Sequence, residues 1–349
     1  MNEPKSSRYH RLRRRAGFVA GGGTVLLLLV LLWLRPSLHG AVYVVMLVGL
    51  HQLIALPAAF YRSLVLERRY ELSTETTGVW LGDQLKAAGI TLAFALGIAH
   101  VIYVLIAWSP EYWWLPATAA ATGVTIILAW LAPIVLLPLF YKFTPLDRPE
   151  LSERVVALSR QAGVPVLGVY VWGLGAKTRR ANAALTGSGG TRRILLSDTL
   201  LAHYSDDEIE VILAHELAHH AHHDIRNGIL LEFGLLLGAF YAASAALLAW
   251  WQPLGLSGPA DPAGMPLLLL AAGGVLLVTA PLVNAFSRAN ERRADRFALT
   301  LTGRPEPFIS AMRRLGAQNL VEEEPSRGTV WLFHTHPPIE ERISMARAI

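Results

Sequence analysis

The stretch His215-Glu216-Leu217-Ala218-His219 holds two imidazoles four residues apart, with a carboxylate beside the first. Residues four apart share one face of a helix. Both rings can therefore grip one metal ion, and Glu216 then faces the position they leave open. This is the H-E-x-x-H pattern. The chain has no cysteine, so thiolate sites are excluded and His, Asp and Glu remain as ligands. Two imidazoles and one carboxylate make a common catalytic zinc site, and one Zn2+ per chain is expected. Zinc lowers the pKa of a water it holds to about 7. Glu216 can take that water's proton as general base while the water attacks a peptide carbonyl.

The plain alternative is a solvated histidine cluster, since His220, His222 and His223 follow directly. The setting argues for the catalytic reading. Ser205-Asp206-Asp207-Glu208 is a capping box that opens a helix. Val211, Ile212 and Leu213 precede the motif, and Leu217 and Ala218 lie inside it. The extra histidines read as solvated or supporting groups, not as ligands.

A third ligand is needed, and Glu291 is the best candidate. It lies in Ser287-Arg288-Ala289-Asn290-Glu291-Arg292-Arg293-Ala294-Asp295. Asp295, four residues on, can orient a ligand imidazole from behind. The competing reading of this stretch is an ordinary charged helix end beside a membrane. His336 sits in His334-Thr335-His336-Pro337-Pro338, a rigid non-helical turn. It could donate to a developing oxyanion, or lie on a simple surface turn.

The elements that position these groups are mostly membrane spans. Of the 349 residues, 53% are hydrophobic and 16% charged, too little charge for a soluble surface. Six segments reach the roughly 20 apolar residues a bilayer requires: 16–34, 41–61, 88–108, 113–141, 229–251 and 264–286. The fourth carries Pro116, Pro133 and Pro138 and is expected to bend. Arg11, Arg13, Arg14 and Arg15 precede the first, which reads as a retained signal anchor and not a cleaved signal peptide.

With the basic terminus inside, the loops 62–87, 142–228 and 287–349 also fall inside. Arg35 is the one Lys or Arg in the outside loops 35–40, 109–112 and 252–263. The net charge of +5 thus follows membrane topology, and no nucleic-acid surface is expected. The organisation is a basic N-terminus (1–15), a four-span region (16–141), a catalytic portion (142–228), a two-span hairpin (229–286) and a second catalytic portion (287–349). Within the first catalytic portion, 149–163 has helical spacing. Val166–Trp172 reads as a strand, and Arg180–Thr186 and Arg192–Leu196 read as a hairpin across Gly187-Ser188-Gly189-Gly190.

Several stretches together resemble the type 1 CAAX prenyl endopeptidases, integral-membrane zinc proteases. They are Leu139–Leu146, Asn182-Ala183 with Arg193–Leu200, the His215 motif with Asp224, and Glu291–Asp295 with His336-Pro337-Pro338. The segment from Tyr70 to Lys86 resembles the family's N-terminal loop. The likeness runs over roughly residues 60 to 345, and the chain reads as a prokaryotic member.

The resemblance implies that His215, His219 and Glu291 ligate zinc and that Glu216 is the general base. It implies that His336 stabilises the transition state, that Arg342 lies near the substrate and that Asn182 binds substrate backbone. A peptide or protein substrate would then lie as an extended strand against the 180–186 edge. The implied fold is mainly α, a multi-span helical bundle in the lipid bilayer enclosing a chamber. A small α+β zincin-like catalytic portion would sit on its cytoplasmic side, in the cell membrane.

Two departures bear on specificity. The chain has six spans where eukaryotic members have seven, and Asn182 is flanked by Arg179-Arg180-Ala181 and Ala183-Ala184-Leu185. The alternatives are an HtpX-type quality-control metalloprotease and, from another class, a zinc transporter. A transporter would place ionisable groups within its spans, and here His51, His100 and Glu232 are nearly all there are.

Overall fold

Apolar runs of this length have no globular interior large enough to bury them, and the long helices show the consequence. The structure, a computed structural model, describes residues 4–187 and 189–348. Among these are six helical stretches of membrane length. Helix α1 is Lys5–Leu34 and α2 is Gly40–Phe60, which passes through a π turn at Tyr61–Val65 into α3, Leu66–Arg69. Helix α4 is Thr77–Trp108 and α5 is Trp114–Leu131. The others are α6 (Pro149–Gln161), α7 (Asp198–His203), α8 (Asp206–Ala221), α9 (Asp224–Trp250) and α10 (Met265–Thr302). Helices α11 (Pro305–Gln318), α12 (Arg327–Phe333) and α13 (Ile339–Arg347) complete the chain.

The long helices form a closed ring. Each of α1, α2, α4, α5, α9 and α10 packs on the next, and α10 returns to α1. Many of their apolar side chains stay bare: Val278 is 77% exposed and Trp108 75%, which suits lipid and not water. The expected bend in the fourth span has a local cause. Pro133 and Pro138 remove backbone donors, and the α ladder gives way to a π turn at Ala132–Leu136 and a 3-10 turn at Leu137–Leu139.

Two spans run further than their apolar segments. Helix α4 starts at Thr77, where the Thr76 hydroxyl caps the Val79 amide at 3.3 Å. The expected 62–87 loop is thus largely helical. Its remainder docks on the catalytic portion through Arg179 N to Leu72 O at 2.8 Å and Thr74 N to Lys177 O at 3.1 Å. Helix α10 is 38 residues long, roughly 57 Å at 1.5 Å per residue. The hydrocarbon core takes about 30 Å of that. The excess lies beyond the apolar segment and carries Glu291 and Asp295.

The catalytic portion holds a four-stranded sheet in the order β1-β2-β4-β3. Its strands are β1 (Phe143–Pro145), β2 (Gly168–Trp172), β3 (Ala183–Thr186) and β4 (Arg193–Ser197). Strands β2 and β4 pair in parallel and the other pairs are antiparallel, which leaves β3 on an edge. The expected strand from Arg180 begins only at Ala183. Residues 179–181 are drawn off the sheet by other partners: Thr199 Oγ1 donates to Arg180 O at 2.7 Å, and Ala181 N donates to Asn319 Oδ1 at 3.1 Å.

The largest core joins sheet and helices. Ile194 and Leu196 of β4 meet Val155 of α6, Ile209, Leu213 and Leu217 of α8, Ala298 of α10, Phe308 of α11 and Ile343 of α13. The capping box at the start of α8 forms as expected, with Ser205 N to Glu208 Oε2 at 2.8 Å and Glu208 N to Ser205 Oγ at 3.3 Å. Glu208 is buried and also takes Ser310 Oγ at 2.6 Å and Arg314 Nε at 3.0 Å. It therefore anchors α8 to α11. Ser205→Ala should lower stability by about 1 kcal/mol. Glu208→Ala should cost more, because it strands three donors. Thermal unfolding of the two detergent-solubilised variants beside the wild type checks the order.

Candidate active site

Helix α8 sets the His215 and His219 rings side by side, 5.0 Å apart and at 87°. The extension of α10 brings Glu291 against both. Its Oε2 is 3.2 Å from His215 Nε2 and its Oε1 is 3.5 Å from His219 Nε2. One ligand atom from each of the three residues lies within 4.8 Å of the others. The third position, open to two readings in the sequence, is thus brought to the histidines by a membrane helix that outlasts the membrane.

The far sides of both rings are also held. His215 Nδ1 meets Asp295 Oδ1 at 2.8 Å, and His219 Nδ1 meets Asp224 Oδ2 at 2.9 Å. A neutral imidazole that donates from Nδ1 turns the lone pair of Nε2 to the cluster. Asp295 is fully buried and receives Arg342 through Nε at 2.8 Å and Nη2 at 2.6 Å. Asp224 receives the Arg293 guanidinium.

This donor set fits a divalent cation. Glu291 Oε2 is buried and accepts no hydrogen bond, a costly arrangement unless a cation meets it. The His215 imidazole tells the same story. Burial alone would lower its pKa, but the carboxylates of Asp295 and Glu291 on its two sides outweigh that and raise it to about 9. The pocket demands positive charge.

Glu216 faces a cavity of about 1040 Å³, which His215, Asn182, Ala183, His336 and Arg342 also line. Burial raises the Glu216 carboxyl above the usual range, the direction a general base needs. His336 stands at the rim with its side chain 60% exposed and Nε2 3.4 Å from Glu291 Oε2. Asn182 is exposed to the cavity, and its backbone is clamped to β4 by Asn182 N to Ser197 Oγ at 2.9 Å and Ser197 N to Asn182 O at 2.9 Å. Arg342 reaches the cavity, yet its Nε and Nη2 are committed to Asp295. Every residue singled out as catalytic, ligating or supporting is therefore gathered in one place.

The extra histidines stay out of the cluster. His220 Nε2 lies 3.4 Å from Leu185 O and ties α8 to the edge strand. Asp224 is a functional position the residue patterns left without a role. It is five residues beyond His219 and in a separate helix. The signal was the break between the helices. His223 takes a left-handed φ of 58°, which turns the chain sharply and lets Asp224 at the start of α9 fold back on His219.

A helix bearing H-E-x-x-H, a carboxylate from a membrane helix and an edge strand beside them define an integral-membrane metalloprotease. Residues 145–349 match Peptidase family M48. Residues 12–142 match the family described as CAAX prenyl protease N-terminal, five membrane helices. The chain belongs to peptidase family M48.

Its relatives include the metalloprotease YhfN of Bacillus subtilis (strain 168), 30% identical over 281 residues, covering 79% of this chain and 66% of that one. They also include a CAAX prenyl protease 1 homolog of Caenorhabditis elegans, 26% identical, covering 89% and 77%. The crystal structure of S. mikatae Ste24p superposes with a TM-score of 0.80 at 23% identity, covering 86% of this chain and 74% of that one. That likeness is one of fold. Among the described residues, 12–142 hold four helices of membrane length here.

If the histidine partners tune the cluster as the geometry implies, Asp224→Ala and Asp295→Asn should each weaken zinc binding about 10- to 100-fold. Zinc titration against a chelating dye measures it. Unchanged affinity in both variants would contradict the orienting role.

Proposed function

We propose that this protein is a zinc-dependent endopeptidase of the cell membrane, CAAX-protease-like in its plan, with its active site on the cytoplasmic side. His215, His219 and Glu291 would hold one Zn2+. The observation that carries this is their convergence with Glu216 at the wall of a peptide-sized cavity. When bound, zinc polarises a carbonyl and acidifies water.

The chain's own groups do the rest. Glu216 takes a proton from the attacking water and delivers it to the leaving amine nitrogen as the C–N bond breaks. His336, on its proline-stiffened turn, donates from Nε2 to the oxygen that gains charge. Asp295 and Asp224 hold the imidazoles in register. Arg342 locks Asp295 and presents the rest of its guanidinium to the cavity. Asn182 and the free edge of β3 accept an extended substrate backbone. On this reading the cytoplasmic catalytic portions are 142–228 and 287–349, separated by the hairpin 229–286 and hung from the four-span region 16–141.

Glu216→Gln should keep zinc and lose peptide cleavage by about 100-fold or more. Metal content and chelator-sensitive cleavage of membrane-protein digests, compared with wild type, test it. A wild-type protein that holds no zinc and cleaves no peptide would end the proposal. Retained zinc flux into proteoliposomes by Glu216→Gln would favour a transporter.

Orientation has its own test, because the chain lacks cysteine. A cysteine at exposed Glu323 should label only from the cytoplasmic side and one at exposed Gln252 only from the other. The reverse pattern would invert the topology.

A further inference from the structure

Five arginines line the active-site cavity: Arg13, Arg14, Arg62, Arg180 and Arg342. Four have their counter-charge. Arg14 forms a two-pronged pair with Glu322 at 2.7 and 3.2 Å. Arg180 Nη2 reaches both oxygens of Glu67 at 3.1 Å, and Arg13 Nη1 lies 3.6 Å from the same carboxylate. Arg342 has Asp295. Arg62 is different. No described residue accepts a hydrogen bond from it or forms an ion pair with it, and its Nε is buried without a partner.

Its position is built. Arg62 sits on the π turn Tyr61–Val65, just past Pro57 within α2. Such turns widen the ladder and re-aim a side chain, and they concentrate at functional sites. The guanidinium lies across α1 at Gly17, where a Cβ would stand 3.7 Å from Nη1. Further along the same wall, a Cβ on Gly21 or Gly22 would meet nothing within 4 Å. Helix α1 therefore offers the cavity a smooth strip of backbone, with one unmatched cation beside it.

We propose that Arg62 is a substrate-binding residue that pairs with a carboxylate of the bound peptide. This rests on the peptidase reading above. A half-buried cation without a partner is unfavourable alone and favourable once paired. The planar fork of arginine suits a carboxylate best. A peptide carries that group in two places, at its C-terminus and on Asp or Glu side chains.

Three random octapeptide pools separate these sources. One has a free C-terminal acid and no Asp or Glu, one is its C-terminal amide, and one is an amide pool that includes Asp and Glu. Full-length zinc-loaded protein in uncharged detergent is assayed for cleavage by mass spectrometry, and the Glu216→Gln form for binding by fluorescence polarisation. Wild type should prefer one carboxylate-bearing pool over the plain amide by about tenfold, through KM and not kcat. Preference for the acid pool assigns the C-terminus, and preference for the third pool assigns a side chain. Arg62→Gln should erase the preference, and Arg62→Lys should keep part of it, both with normal zinc content.

Equal treatment of all pools by wild type, or a preference that survives in Arg62→Gln, overturns the proposal. When the binding assay is repeated with anionic lipid added to the detergent, a loss in Arg62→Gln that appears only there also overturns it, since Arg62 would then be a headgroup anchor. Absence of cleavage in every pool would count against the peptidase reading, while the binding arm still reports on Arg62.

Discussion

The carboxylate of Asp295 is fully buried and joins three helices. From α10 it receives His215 of α8 on one side and Arg342 of α13 on the other. A buried charge is tolerable only when it is paired and hydrogen-bonded. Here the pairing is complete, and it leaves one consequence. With Nδ1 engaged, the Nε2 of His215 must point toward Glu291. The cluster's geometry thus follows from satisfying a buried charge that stands behind the His215 ring, away from the cavity.

That linkage also couples the site to the membrane. Helix α10 is at once a wall of the ring, the bearer of Glu291 and the bearer of Asp295. In lipid a chain keeps its backbone bonds satisfied by staying helical, and α10 runs on through Pro281 into the catalytic portion as one continuous helical rod. A carboxylate on such a rod is held more closely than one on a loop. The other wall, α1, serves the cavity in a second way. Its basic start is part of the same helix, and Tyr9 is fully buried with its hydroxyl between Glu67, Arg13 and Arg180. Arg180 lies two residues before Asn182. The first span therefore reaches the segment that would meet a substrate backbone.

The cluster and the cavity beside it draw on both matched regions of the chain. The metal-type cluster comes from α8 and α10, inside residues 145–349, which carry the peptidase likeness. One wall of the cavity comes from α1 and the turn after α2, inside residues 12–142, and the rest from residues 145–349, among them Asn182, Met312 and His336.

Local patterns were legible from residue order alone. His215 and His219 had to share a helical face because the period is fixed by backbone geometry. Ser205 and Glu208 had to form the cap because both partners lie within four residues. The spans were visible because lipid demands a long apolar run. Glu291 and His336 could be nominated, but their choice needed the fold. Asp224 was marked only by the family resemblance, without a role, and Glu67 and the solitude of Arg62 could not be seen at all. Each depends on groups far apart in sequence, such as Arg293 with Asp224 and Glu67 with Arg180. Charge pairing across tens or hundreds of residues leaves no period in the sequence, and only the packed helices decide which charges find a partner and which one is left for a ligand.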